Sequence, residues 1–153
     1  MIRIFLKLLK KTRAFFIWLW QQEGTPSQCA RGVAVGVFSG CFPLFGLQTL
    51  LGVSLASLFK GNHLLAAAAT WISNPFTYIP LYLFNYKVGS AFLGEGRNFN
   101  TLRQLNTQEL WDQGWIISSR ILLGSSIVGS ILAIIIGLIS YLLFIKFSQK
   151  KNV

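Results

Sequence analysis

Two stretches of the sequence place hydrogen-bonding side chains beside prolines inside otherwise apolar runs. The first extends from Pro43 to Gln48, and the second, Thr70–Pro80, reads TWISNPFTYIP. A proline removes a backbone donor, and its ring clashes with the carbonyl group four residues earlier. Carbonyl groups freed in this way can coordinate a cation, and the N-termini of half-helices can receive an anion. These two stretches therefore carry the residue types that could bind a solute.

The predicted polar membrane site, which could equally be a helix-packing motif, combines the prolines with small, polar and aromatic neighbours. Its members are Pro43, Gly46, Gln48, Thr70, Trp71, Ser73, Asn74, Pro75, Thr77 and Pro80. None of these side chains is charged, whereas ionisable residues normally mark proton relays and coupled transport in membranes. Any flux through this site would therefore be passive or would carry a neutral solute.

Catalytic and metal chemistry is not indicated. The chain has one histidine, His63, and two cysteines, Cys29 and Cys41, and no Ser/His/Asp, Cys/His or metal-ligand spacing connects them. Three of the four carboxylates lie in the polar stretch 87–119, where we interpret them as solvated side chains. We expect the chain not to be an enzyme and to bind neither a cofactor nor a metal ion.

The elements that must position the two stretches are apolar segments. Of the 153 residues, 53% are hydrophobic and 12% are charged, whereas soluble domains carry roughly 25% charged residues. The long apolar runs extend over residues 32–59, 64–84 and 121–147. The sequence predicts an all-α membrane protein with an interfacial helix, two proline-broken helical segments, a polar loop and a C-terminal transmembrane helix.

The first two runs are each interrupted near the middle. The first divides at Pro43, and Gly32, Ala34, Gly36 and Gly40 place small residues where another helix could approach closely. The second breaks at the Asn74-Pro75 pair. A membrane tolerates such a break where the freed backbone groups find partners in protein or water. Each broken run could be a kinked helix or a re-entrant hairpin. The short polar connector at residues 60–63 predicts antiparallel neighbours.

The third run is continuous. Residues 121–145 contain neither proline nor charge. At 1.5 Å per residue they measure about 37 Å, enough to span a hydrocarbon core of ~30 Å with some tilt.

The first residues, 1–25, predict a basic amphipathic helix in the lipid headgroup region, with tryptophans at the interface. Its headgroup contacts would be Arg3, Lys7, Lys10, Lys11 and Arg13. A secretory signal peptide fits less well, because the apolar part is interrupted and no small-x-small cleavage site follows. The helix could instead pack against the cytoplasmic face of the domain. Residues 26–147 would form one membrane domain, and residues 148–153 a basic cytoplasmic tail.

The formal net charge of +10 has its basic residues beside the apolar runs, which favours a lipid surface over nucleic acid as the partner. Basic ends predict that both termini are cytoplasmic and that the 87–119 loop is outside. One broken run should then cross the membrane while the other enters and returns, but charge does not choose between them. Two opposed hairpins remain a further alternative.

The spacing of small residues, prolines and amides resembles a known bacterial membrane family, the domain of unknown function 2062, over about residues 26–145. The resemblance is carried by Pro26, Ala30, Gly32, Ala34, Gly36, Phe38, Gly40, Pro43, Gly46, Gln48, Thr49, Asn62, the block from Thr70 to Pro75, Thr77, Pro80 and Tyr82. It implies a small integral protein of the bacterial inner membrane without an assigned reaction. Members of the family are sometimes joined to glycosyltransferase-type domains.

Two functions follow as hypotheses. The first is a structural or accessory protein of membrane or cell-envelope processes, whose partners are membrane lipids and either cell-envelope enzymes or a second copy of the chain. The alternative is a transporter-like protein for passive or neutral-solute flux, with its site at the two helix breaks. The fusions implied by the resemblance support the first by association.

Overall fold

A computed structural model describes residues 24–44, 46–94 and 107–151, with side chains through residues 24–44, 46–94 and 114–148. The described residues form five α-helices, which confirms the all-α prediction. They are α1 (Pro26–Gly40), α2 (Leu47–Leu58), α3 (His63–Ala69), α4 (Tyr78–Leu93) and α5 (Thr107–Lys151), and a 3-10 turn over Thr70–Ile72 extends α3. The predicted N-terminal amphipathic helix lies outside the described residues, except for its last two positions.

The polar, turn-rich residues 21–27 predict a link in which Pro26 is well placed to begin a helix, and α1 does begin there. The Thr25 hydroxyl accepts a hydrogen bond from the Gln28 amide, and the Gln28 side chain accepts one from the Thr25 amide. Pro26 occupies the first helical position, where its missing N–H group has no partner to lose. This capping box provides hydrogen-bond acceptors for two backbone amides that have none within the helix, which stabilises the start of α1.

The Pro43 break turns the chain back on itself. Helix α1 ends at Gly40, and α2 starts at Leu47 after Gly46, whose φ of +82° suits glycine. Gly52 in α2 then lies against the Ser39 side chain and the Gly36 backbone of α1. The α1–α2 pair is therefore a helical hairpin.

Helix α3 runs beside α1 in the same direction. A methyl group added at Gly32 would overlap the Asn62 backbone, and one added at Gly36 would overlap the Ala66 carbonyl oxygen. In both contacts, the residue of α1 lies beside the residue 30 positions later in the chain, so the two helices are parallel. At its start, the Asn62 amide donates to the Gln28 carbonyl oxygen over 2.9 Å. Glycines spaced four residues apart thus let the two backbones touch, as predicted from their spacing.

Helix α5 provides the long support for the other helices. Along its length Gly124 lies against Asn85 of α4, Gly129 against Phe38 and Cys41, and Gly137 against Ala34. Helices α4 and α1 therefore occupy successive levels along α5, both antiparallel to it. Helix α3 lies beside α1, and α4 continues beyond the end of α1 in the same direction. The second broken run therefore passes the level of the break, whereas the first run turns back there as α2.

The C-terminal helix is longer than predicted. It begins at Thr107 rather than at Ile121, so the predicted polar loop 87–119 belongs largely to α4 and α5. Gly89 allows the α5 backbone to pass directly over α4 at Arg120, where an added methyl group would overlap the Arg120 carbonyl oxygen. This packing extends helical structure into a segment whose polar composition had indicated a loop.

The side chains that fill the interior are mostly small or polar. The largest fully buried side chains of the described residues are Asn85, Thr70, Cys29, Cys41, Ser39 and Ser125. Arg120, which directly precedes the third apolar run, is a buried cation and is only 8% exposed. Its guanidinium donates to the carbonyl oxygens of Gly94 and Ile116 over 2.8 and 2.9 Å, which ties the end of α4 to α5. The buried guanidinium charge of Arg120 is thus compensated by two backbone carbonyl groups, one just after the end of α4 and one within α5.

One helix among the described residues is long and apolar enough to cross a membrane, over Gly114–Ser148. Shorter apolar helices cover Leu47–Leu58 and His63–Ile72. The predicted C-terminal membrane helix is therefore supported by length and composition.

Candidate functional site

The Asn-Pro break is a turn that satisfies its own polar groups. The Asn74 carboxamide oxygen accepts from the Phe76 and Thr77 amides over 2.9 and 3.2 Å, and its nitrogen donates to the Trp71 carbonyl oxygen over 3.3 Å. The Thr77 hydroxyl donates to the Ile72 carbonyl oxygen over 2.7 Å and accepts from the Asn74 amide over 2.9 Å. The Asn74 and Thr77 side chains therefore replace the helical hydrogen bonds lost at Pro75.

The chain becomes helical again directly after this turn. The Tyr78 amide donates to the Asn74 carbonyl oxygen over 2.9 Å, and the Leu81 amide donates to that of Thr77 over 3.0 Å. Pro80 falls in the first turn of α4, where an amide has no intrahelical acceptor. Both prolines of the second stretch are thus accommodated without an unpaired donor.

Two hydroxyl pairs connect the break to its neighbours. The Thr70 hydroxyl is fully buried, donates to the Ala67 carbonyl oxygen over 2.7 Å and lies 3.2 Å from the Thr49 hydroxyl of α2. The Ser73 hydroxyl lies 2.9 Å from the Tyr82 hydroxyl, and Tyr82 donates to the Phe42 carbonyl oxygen over 3.2 Å. These pairs join the second broken run to α2 and to the turn of the hairpin.

The deepest polar contact involves Asn85, which is fully buried in α4. Its side-chain nitrogen donates to the Cys41 carbonyl oxygen over 3.0 Å and to the Ser125 hydroxyl over 2.9 Å. Cys41 caps the C-terminus of α1, so Asn85 supplies a donor to a carbonyl group at the helix end. One amide thereby links α1, α4 and α5.

Two amide oxygens remain without a hydrogen-bond partner among the described residues. They are the carboxamide oxygens of Gln48 and Asn85, both buried. The Gln48 and Asn74 side chains do not bond each other, because Asn74 is used within its own turn. The two helix breaks therefore meet through hydroxyl and backbone groups, not through a shared amide site.

The break lies close to the middle of the apolar length of α5. The midpoint of Gly114–Ser148 is Ile131, and Gly129 contacts the end of α1 near Phe38 and Cys41. Asn85 and Ser125 lie just beyond this level. The unusual polar groups are thus concentrated where a spanning helix would be furthest from water.

The remaining predicted site residues face outward or shape the turns. Trp71 is 76% exposed, Pro75 and Pro80 are exposed, Gly46 forms the exposed start of α2, and Pro43 is half-buried. Phe76, between the two prolines, is 91% exposed. The predicted site residues therefore split into an inner polar group and an outer apolar surface. The predicted headgroup contacts at the N-terminus lie outside the described residues.

Sequence reasoning missed Asn85, Ser125 and Arg120, which make the most buried polar contacts. Asn85 follows the apolar run that ends at Phe84, and Ser125 lies within a helix rich in serines, so neither stands out from its neighbours. One signal was available, because Tyr82 and Asn85 are three residues apart and so share a helical face. Their partners are the backbone carbonyl groups of Phe42 and Cys41, which cannot be recognised in the sequence because every residue has a carbonyl group.

Metal and cofactor binding has no structural candidate in the described part of the chain. No group of three or more His, Cys, Asp or Glu side chains is close enough there to hold a metal ion. The two cysteines are buried and unpaired with each other. The His63 ring lies 2.8 Å from the Ser57 hydroxyl, a contact that closes the α2–α3 turn.

A groove of about 770 Å³ lies between α1, α2 and α5 on the same side of the break as the start of α1. Its walls include Ala34, Leu55 and Ile134, and its polar residues are Ser27, Arg31, Ser130 and Tyr141. This volume lies within the range of small-molecule sites in proteins.

No curated protein and no solved structure matches the chain. A family model described as an uncharacterized protein conserved in bacteria (DUF2062) matches residues 9–152, which is 144 of the 153 residues. The match includes both helix breaks, the hairpin and the long C-terminal helix. The chain therefore belongs to the DUF2062 family.

Proposed function

We propose that the chain is an integral protein of the bacterial inner membrane that serves membrane or cell-envelope processes as a structural or accessory component, without enzymatic activity. One observation carries the membrane assignment: large apolar side chains face outward while small and polar ones fill the interior. On α5 alone, the exposed group includes Ile131, Ile134, Ile135, Leu138, Ile139 and Leu142. In water such a surface would associate, whereas in lipid it faces acyl chains.

The interior supports the same assignment. In lipid, helix association depends on close backbone contact and on hydrogen bonds rather than on burial of large apolar side chains. Gly32 and Gly36 against α3, and Asn85 between α1 and α5, match that mode of packing. A soluble bundle of this size would bury many leucine and phenylalanine side chains, whereas Leu65 and Phe144 are the only ones buried among the described residues.

The proposed topology has the α1–α2 hairpin entering and leaving on the cytoplasmic side. Helices α3 and α4 cross as one broken segment, and α5 crosses back. Ten of the 14 Lys and Arg residues belong to the end that would be cytoplasmic: Arg3, Lys7, Lys10, Lys11, Arg13, Arg31, Lys60, Lys146, Lys150 and Lys151. That distribution favours cytoplasmic termini.

Single-cysteine labelling tests this topology. In a Cys29→Ala, Cys41→Ala background, His63→Cys, Asn98→Cys and Lys150→Cys would be probed in intact cells with a membrane-impermeant maleimide. We expect labelling of position 98 alone, with positions 63 and 150 labelled only after lysis. Labelling of position 63 from outside would overturn the hairpin assignment. Release of the protein by carbonate without detergent would overturn the membrane assignment itself.

The accessory role is supported by how the break uses its polar groups. Asn74 and Thr77 satisfy the turn locally, which makes the break a rigid structural feature and places Trp71 and Phe76 on the outside. Exposed aromatic side chains at the level of the break offer a contact surface for another membrane protein. The expected partner is a cell-envelope enzyme.

Site-specific photocrosslinking tests the partner. A photoreactive residue at Phe76 is expected to form a discrete adduct with a cell-envelope enzyme in living cells. The control is the same residue at Leu142, which is 66% exposed on α5. Adducts that are equal at both positions, or that contain only lipid, would contradict an accessory role through this surface.

Neutral-solute transport remains a second candidate because the carboxamide oxygens of Gln48 and Asn85 are buried without partners. Such acceptors could bind a solute hydroxyl or amide group in transit. Proteoliposome swelling with glycerol and urea separates the two candidates. The accessory role predicts the permeability of protein-free vesicles. Faster swelling that Asn85→Ala abolishes would favour transport.

A further inference from the structure

The groove between α1, α2 and α5 has one polar end and one apolar end. Ser27 and Arg31 near the start of α1, Phe59 at the end of α2 and Tyr141 of α5 lie at the same end, because α2 and α5 run antiparallel to α1. Phe38 and Ser130 lie at the opposite end, near the break. The Ser130 hydroxyl already donates to the Ser126 carbonyl oxygen over 2.7 Å. The end near the break is therefore effectively apolar.

The length of the groove matches half of a bilayer. From Ser27 to Phe38 it follows α1 for eleven residues, or about 16 Å at 1.5 Å per residue. Half of a ~30 Å hydrocarbon core is about 15 Å. Its inner end near Ser130 lies one residue from the midpoint of the span at Ile131. The groove thus begins at the expected lipid headgroup level and ends at the bilayer centre.

Charge at the polar end is positive. Arg31 is exposed there, and the exposed cations Lys60 and Lys146 lie on the same end of the bundle. The described side chains include no carboxylate, since the acids of the chain are Glu23, Glu95, Glu109 and Asp112. A guanidinium group binds a phosphate oxygen through strong, charge-assisted hydrogen bonds.

We propose that this groove binds one anionic phospholipid of the cytoplasmic leaflet, with an acyl chain along α1 and the phosphate at Arg31. This inference rests on the proposed membrane topology, and it adds a defined ligand to that topology. An anionic lipid held between the hairpin and α5 would lie against groove walls that include the small residues Ala30, Ala34 and Gly137.

Native mass spectrometry of the full chain, delipidated in detergent, tests the headgroup. Phosphatidylglycerol is expected to bind about tenfold more tightly than phosphatidylcholine with the same acyl chains. Arg31→Gln should reduce phosphatidylglycerol binding about tenfold. Lys87→Gln removes an exposed cation of α4 that does not line the groove and should leave binding unchanged. Equal loss in both variants, or no preference for the anionic lipid, would overturn the proposal.

The groove walls need a separate test. Ser130→Phe adds bulk at an exposed position in the apolar end. It should weaken long-chain phosphatidylglycerol about tenfold while leaving the dioctanoyl form unchanged. Weakening of both forms, or of neither, would contradict insertion of an acyl chain.

Two other occupants can be distinguished in the same experiments. Stabilisation by inorganic phosphate as large as that by phosphatidylglycerol would identify a free anion rather than a lipid. A dimer that Ser130→Phe converts to a monomer would identify a second copy of the chain. Either result would overturn the lipid assignment, while cysteine labelling would still report independently on membrane topology.

Discussion

The side-chain nitrogen of Asn85 lies 3.0 Å from the carbonyl oxygen of Cys41, and this hydrogen bond joins the end of α1 to the middle of α4. The same nitrogen also bonds the Ser125 hydroxyl of α5. Because the first broken run turns back at this point while the second continues past it, the contact marks where the hairpin meets the crossing segment. Stability of the arrangement should depend on it.

Asn85→Ala should lower the free energy of unfolding by about 1–3 kcal/mol, because the Cys41 carbonyl oxygen would stay buried without its donor. Thermal unfolding in detergent measures the loss. A double-mutant cycle with Ser125→Ala should give a coupling energy of about 0.5–1 kcal/mol, typical of hydrogen bonds between membrane helices. Additive losses would mean that the two side chains do not interact.

Gly36→Ala should destabilise the chain by about 1–3 kcal/mol, since the added methyl group meets the Ala66 carbonyl oxygen and α1 must move away from α3. Gly114→Ala is the matched control, as a methyl group there has open space around it. In that helix the control should gain about 0.5–1 kcal/mol. Similar unfolding temperatures for both variants would rule out close packing of α1 on α3.

Thr77→Val should lower the free energy of unfolding by about 1 kcal/mol, because its hydroxyl replaces backbone hydrogen bonds at the Pro75 break. Thr77→Ser keeps the hydroxyl group and should recover most of the loss. The measurement is chemical unfolding followed by tryptophan fluorescence, to which Trp71 beside the turn contributes as one of five tryptophans. A valine variant as stable as the unmodified chain would show that the Thr77 hydroxyl does not support the break.

Cysteines at Ala34 and Gly137 should form a disulfide rapidly on mild oxidation in a Cys29→Ala, Cys41→Ala background. The Cβ position of residue 137 lies 3.0 Å from the Ala34 Cβ, so a shift of about 0.5 Å between the two helices would bring the pair into the range of Cβ separations in disulfides. The pair Ala34→Cys with Gly114→Cys is the control and should stay reduced. Gel mobility after oxidation reports the result, and crosslinking of the control pair would place α1 at the wrong level along α5.

Arg120→Gln should destabilise the chain by about 1–3 kcal/mol, since the longer side chain donates to the carbonyl oxygens of Gly94 and Ile116 from a buried position. Lys87→Gln serves as the exposed control and should change stability by less than about 0.5 kcal/mol. Thermal unfolding of the two variants side by side checks this. Equal stability of the two variants would show that the hydrogen bonds of the buried Arg120 side chain do not stabilise the fold.

The sequence by itself determined the classes of element and the positions of the breaks. Pro26 marked the start of α1, Pro43 and Asn74-Pro75 marked the two interruptions, and the glycines of α1 marked a close helix contact. Each of these follows from local backbone chemistry: proline lacks a donor, and glycine lacks a side chain. A helix start at Thr107 could be predicted from its capping residues, but the continuity of one helix from Thr107 to Lys151 could not, because the polar residues before Ile121 favour a loop when read without their neighbours.

Only the tertiary structure decided which broken run returns and which continues. That choice depends on pairings between residues far apart in the chain, such as Gly36 with Ala66 and Asn85 with Cys41. The tertiary structure also determined the hydrogen-bond partners of the two asparagines. The Asn74 side chain bonds the backbone of its own turn, whereas the Asn85 side chain bonds the carbonyl group at the end of α1. The residue type shows how many hydrogen bonds a side chain can donate or accept. Which group it bonds depends on how the helices pack, because the partner is far away in the sequence.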